Sequence, residues 1–167
     1  MSLLVTALTF AHVFSAICYL GGAIVFGLVI GPQLPRLSPF VSNEFFAKIG
    51  PPFVRFTEVF AGMTILFGAL LLGALVQGDF SLLSPSTTWG LSIMAGMTTG
   101  LLAFLIGMIW VTPASKRLIG HAQNLLSNPG PPPPEMLKAA GRLKSSSAAG
   151  LVLLVITVVF MVIAGTA

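Results

Sequence analysis

The sequence predicts an all-α integral membrane protein, a four-helix bundle, and three observations carry that prediction. Only 7% of the 167 residues are charged, against about 25% in a soluble domain. The mean hydropathy is +1.01. The apolar residues gather into four runs, each long enough to cross a bilayer, for which about 20 apolar residues suffice. These runs leave no room for a sizeable extramembrane domain, so residues 1–167 read as a single transmembrane domain. In hydrocarbon every backbone N–H and C=O has to be paired within the chain, and a helix does this segment by segment.

Span 1 is expected at about residues 3–30. Its start has no basic n-region, and its apolar run is too long for a signal-peptide core, which predicts a retained span. Gly31-Pro32 and Pro35 end it by removing backbone donors. The first loop carries Arg36, Glu44 and Lys48, and residues 42–46 have the character of a short interfacial helix. Pro51-Pro52 restart the chain into span 2, about residues 53–76. A short loop with Asp79 as its only charge leads to span 3, about residues 89–111, bounded by Trp89 at one interface and by Trp110 and Pro113 at the other. The third loop holds Lys116, Arg117, His121, Lys138, Arg142 and Lys144, around a stiff proline-rich spacer at 128–134. Span 4 is expected at about residues 148–164.

The two basic loops, 31–52 and 112–147, lie on one side and hold seven of the eight lysines and arginines. The positive-inside rule makes that side cytoplasmic, with both termini outside and the chain in the plasma membrane. The net charge of +4 therefore reports topology and contact with anionic headgroups. It does not point to nucleic acid. Cys18 is the single cysteine and falls inside span 1, so no intramolecular disulfide forms.

Span 1 carries one ionisable group near its middle, His12. A polar side chain in hydrocarbon is costly and usually has a partner and a function. His12, Ser15, Tyr19 and Gly22 recur at helical spacing and share one face, which should point into the bundle. An imidazole there suits a haem iron or a copper ion. A histidine merely hydrogen-bonded to a neighbouring hydroxyl or carbonyl is the plainer reading. Counting about 1.5 Å per residue from the expected boundaries, His12 and Met97 come to similar depths, roughly 12 to 13 Å below the outer surface. This makes the Met97 thioether a candidate opposite ligand, against its ordinary use in packing. Glu58, with Tyr19 and Arg55, belongs to a lower layer, about 8 Å from the cytoplasmic face. Glu58 reads as a proton relay or, more plainly, as the partner of Arg55 three residues away. Arg55 in turn suits a haem propionate. Gly96, Gly100 and Gly107 form a small-residue track on span 3 that permits close helix approach, within the chain or between copies.

No Ser-His-Asp set, phosphate-binding loop or zinc-type Cys/His cluster is present. Cys-x-x-Cys-His is absent as well, so a bound haem would be noncovalent, haem b.

The first helix resembles that of a group of small membrane proteins that includes the CopD copper-resistance family and the HemJ-type protoporphyrinogen oxidases. The residues that carry the resemblance are His12, Tyr19 where tryptophan is usual, Gly21 and Gly22, followed by Arg55-Phe56 at the start of span 2. They cover about the first 75 residues. The lysine of HemJ proteins on the third span has no counterpart here. The resemblance implies metal or haem handling at a site containing His12. The expected function is thus that of a membrane haem b protein in electron transfer or haem handling, possessing His12 as axial ligand. Any enzyme activity would be a haem-linked oxidoreductase, working with a membrane redox partner or a second copy of the chain. The alternatives are a copper-binding or copper-transport protein using His12 and Met97, and a non-catalytic structural subunit of a membrane complex.

Overall fold

The computed structural model describes residues 2–167. The chain is an all-α membrane helical bundle, with no strand among the described residues. Its helices are α1 (Leu3–Ile24), α2 (Pro39–Lys48), α3 (Gly50–Val76), α4 (Thr88–Ile106), α5 (Thr112–Ser127) and α6 (Pro134–Thr166). Four continuous helical stretches are long and apolar enough to cross a membrane: Leu3–Arg36, Gly50–Val76, Thr88–Ser127 and Pro134–Thr166.

The helix starts follow side-chain chemistry. Ser2, Ser38 and Thr87 cap α1, α2 and α4, each hydroxyl accepting from a backbone N–H that lacks a helical partner. Pro51 and Pro134 stand in the first turns of α3 and α6, where a missing N–H costs nothing. At the far end of α3, Gln77 and Gly78 take positive φ values of 49° and 90° and turn the chain back. In the loop that follows, the Asp79 carboxylate accepts from the Ser81 hydroxyl and N–H. Both bonds favour the charged form and hold its pKa below the usual carboxylate value.

One proline acts differently from the expectation. Pro113 does not end the third span. The helix widens into a π-helical turn over Gly107–Val111 and continues as α5. The same widening occurs over Val25–Ile30 at the end of α1, two residues before Pro32. A proline ring clashes with the carbonyl four residues earlier. At Pro113 the widened turn relieves that clash without breaking the helix, whereas at Pro32 the helix ends in a turn over residues 31–33, as expected. The third loop is therefore mostly helical: α5 fills its first half and α6 begins at Pro134, well before the expected residue 148. Only the proline-rich stretch before Pro134 stays extended. The expected interfacial segment at 42–46 lies within α2.

The spans pack as two pairs. α1 lies against α3, and α4 against α6. Between α4 and α6, Gly96 and Gly100 give the room. A Cβ on Gly96 would come within 2.6 Å of Met161, and one on Gly100 within 3.2 Å of Thr157. The Thr157 hydroxyl also donates to that of Thr99 at 2.9 Å. The glycine track thus serves packing within the chain.

At the basic end, α2, α5 and the first turns of α6 form a cap that joins the two pairs. Ala114, Leu118 and Leu143 are buried there, with Phe46, Val111 and Met136 packed around them. Elsewhere the spans turn large apolar side chains outward: Phe10, Leu28, Leu66, Ile109, Val152 and Val162 are more than half exposed. Water does not tolerate such a continuous apolar surface, and lipid is its natural solvent.

The cap makes a checkable demand. Leu118→Ala removes a buried side chain and should cost about 2–5 kcal/mol, lowering the unfolding temperature in detergent and speeding protease cleavage in the proline-rich linker. Leu137→Ala, at an exposed position of α6, should stay within about 0.5 kcal/mol of the parent.

Candidate functional site

His12 lies in the contact between α1 and α3. Its Nδ1 is 2.9 Å from the backbone carbonyl of Thr64. A carbonyl only accepts, so Nδ1 carries the hydrogen, and in the neutral ring Nε2 holds the lone pair. The Thr64 hydroxyl is turned back to Phe60 O at 2.7 Å and does not compete for the imidazole. Room for the ring comes from Gly68, where a Cβ would stand 2.8 Å from His12 Cε1 and 3.0 Å from Nδ1. Nε2 has no partner among the described residues and keeps accessible surface. This is the orientation that histidine ligands commonly show: one nitrogen tied to the backbone, the other open.

The rest of the expected polar face divides. Ser15 is fully buried, and its hydroxyl donates to Ala11 O at 2.7 Å. Gly22 meets Phe53 and Phe56 of α3. Tyr19, about 10 Å below His12 along the helix, reaches the π turn of the third span, its hydroxyl 3.2 Å from where a Gly107 Cβ would stand.

A second, inner layer surrounds a cavity of about 110 Å³ between the four spans and the cap, lined by Tyr19, Phe26, Phe53, Glu58, Phe104 and Gly107 among others. The structure brings Tyr19 and Glu58 to this one cavity. Glu58 does not pair with Arg55. Its Oε1 accepts from Lys116 Nζ of α5 at 2.7 Å, and among the described residues Arg55 makes no ion pair. The Lys116 side chain is 60% exposed, so the pair contributes at most about 1 kcal/mol. Its use is positional, tying α3 to the cap.

Two other expected site residues stand apart from His12. Met97 lies on the outward surface of α4, 45% exposed, and α4 packs on α6 and not on α1. Arg55 is exposed and thirteen residues from Gly68 along α3, about 20 Å at the helical rise. It is not part of the His12 contact. No group of three His, Cys, Asp or Glu side chains converges among the described residues. The sequence reading did not single out Gly68, Thr64 or Lys116. Glycines are common in membrane helices, a carbonyl has no sequence signal, and Lys116 sits 58 residues from Glu58 in what reads as a loop.

Fold and site together define an integral membrane helical-bundle protein with a backbone-anchored histidine in one half of its spans and a capped cavity in the other. Comparison with protein-family models, curated proteins and solved structures finds no match to this chain.

Gly68→Ala should push the imidazole off Thr64 and cost about 1–3 kcal/mol by overpacking. Gly73→Ala, with nothing within 4 Å of the new Cβ, should be neutral or slightly stabilising. Thermal unfolding followed by circular dichroism in detergent separates the two, and equal losses would contradict the contact.

Proposed function

We propose that this is a membrane haem b protein acting in electron transfer or haem handling, with His12 as the one axial ligand its own chain supplies. The observation that supports this reading is the imidazole itself: Nδ1–H is committed to the Thr64 carbonyl and Nε2 is left open. Anchoring of this kind fixes ring orientation and raises ligand basicity. A haem b would supply one-electron chemistry at that nitrogen. The inner cavity does not include His12 and, at about 110 Å³, is smaller than the roughly 300–1,000 Å³ of typical cofactor sites. The residue that would hold the haem is therefore His12, outside that cavity. Met97, on the outward surface of α4, and Arg55, well along α3, are not placed beside His12.

The copper reading has less support, since one imidazole with no converging thioether or thiolate is a poor copper set. In this proposal the basic cap faces the cytoplasm, both termini lie outside the plasma membrane, and a membrane redox partner exchanges electrons with the haem. The resemblance of the first helix to the CopD and HemJ group agrees with a role for His12.

The test is an absorption spectrum of the detergent-purified protein expressed with haem supplied, oxidised and then reduced with dithionite. A Soret band that shifts and sharpens, with α and β bands on reduction, is expected. His12→Ala should lower haem occupancy at least tenfold. A featureless spectrum, or full occupancy with an unchanged spectrum in His12→Ala, would sink the assignment.

A further inference from the structure

Every lysine and arginine of the chain lies at the cap end of the spans, together with Glu44, Glu58 and Glu135. Eight cations against three carboxylates leave that end at a formal net +5, while Asp79 leaves the other at −1. Within the cap the charge is uneven. Its outer tip, the turn between α5 and α6, belongs to a stretch over residues 122–134 that has no Lys, Arg, Asp or Glu. Cations gather instead at the level where the cap meets the spans. Packing fixes that level: Leu118 of α5 and Leu143 of α6 share the buried cluster, and Ile119 lies against Gly50 at the start of α3. Arg117 adjoins Leu118, and Arg142 and Lys144 flank Leu143. Arg55 stands about 8 Å beyond Gly50 along α3. All four side chains belong to exposed residues. None makes an ion pair among the described residues; Glu44 and Glu58 are taken by Lys48 and Lys116.

A belt of unpaired cations at one level narrows the partner. Arg142 and Lys144 project about 200° apart around α6, so they serve opposite sides of the helix. A folded protein or a nucleic-acid duplex meets a surface from one side, whereas a headgroup layer meets every side at one depth. The apolar neighbours point the same way. Val59 and Leu66, on the same face of α3 as Arg55, are 48% and 55% exposed. Arg55 thus ends a stripe suited to acyl chains, and an arginine so placed lays its stem on that surface and its head among the headgroups. The belt also selects by charge. A zwitterionic headgroup brings a cation that the belt repels, and an anionic one brings phosphate alone, which the guanidinium fork matches. The basic loops predict contact with anionic headgroups in general; the packing narrows that to one level and four residues. We infer that this belt is a binding surface for anionic phospholipid, its phosphate oxygens accepting from Arg55, Arg117, Arg142 and Lys144. The inference needs no haem at His12.

The experiment is native mass spectrometry of the delipidated full chain, released from neutral detergent and titrated with phosphatidylglycerol or with phosphatidylcholine of the same acyl chains. Phosphatidylglycerol is expected to bind about tenfold more tightly. Arg142→Gln should weaken its binding about fivefold, the contribution of one cation near an anionic surface, and Arg117→Gln combined with Arg142→Gln about twenty-five-fold. Lys138→Gln removes the same charge one turn nearer the tip, also at an exposed position, and should change it less than about twofold. Phosphatidylcholine binding should be alike in all four proteins, which also reports that the variants are folded. Equal binding of the two lipids, or equal losses in Lys138→Gln and Arg142→Gln, would overturn the inference. Displacement of the lipid by inorganic phosphate or by a short RNA would overturn it too, making the belt a general anion site.

Discussion

The hydrogen bond from His12 to the carbonyl of Thr64 governs how the first half of the molecule is arranged. An imidazole donor left unpaired in hydrocarbon would cost several times what a hydrogen bond normally contributes. The ring therefore has to find an acceptor, and α3 provides one only because Gly68 leaves the space beside it. That contact fixes which face of α1 meets which face of α3. It also commits one ring nitrogen and leaves the other open, so one interaction sets both the packing and the chemistry that the site can offer. The second helix pair is built on different means: Gly96 and Gly100 bring α4 close to α6, and Thr99 and Thr157 share a hydrogen bond there.

Prolines and the cap then decide what lies between the pairs. The turns before Pro32 and Pro113 both widen into π-helical segments that line the inner cavity, but the helix ends at Pro32 and runs on only past Pro113. Helix α5 continues past Pro113 into the cap. There Ile119 lies against Gly50, where a Cβ would stand only 2.7 Å from Ile119 Cγ1. Lys116 reaches back from the same helix to Glu58. The spans thus carry two layers of distinct character: one nearer the termini with a lone backbone-anchored imidazole, and one beneath the cap around an aromatic-walled cavity.

The four spans were legible because lipid imposes one rule on every segment, and a continuous apolar run answers it. The short helix around Glu44 and Phe45 was legible as a helix from its mix of polar and aromatic residues between prolines. The third loop was not, because its charges and prolines match a solvated linker as well as they match a cap. What α5 shows only in three dimensions is a buried stripe of Ala114, Leu118, Ile119 and Ala122. At the site, His12 stood out as an ionisable group in hydrocarbon, and its face with Ser15, Tyr19 and Gly22 followed from helical spacing. Its partner did not, because backbone carbonyls are invisible in sequence. Met97 illustrates the complementary limit. Depth follows from counting residues, but direction depends on which helix packs on which, and α4 pairs with α6. Glu58 shows the same thing locally: Arg55 is near in sequence, while Lys116 is near in space.

The account rests on the state of the His12 ring, and nitrogen-15 NMR reads that state directly. The protein would be labelled on its histidine ring nitrogens in detergent, with His121→Gln to leave one signal set, at about pH 8, above the ordinary histidine pKa. The account predicts a single tautomer with Nδ1 protonated and hydrogen-bonded and Nε2 bare. A ring protonated at Nε2, or one averaging between tautomers, would contradict it.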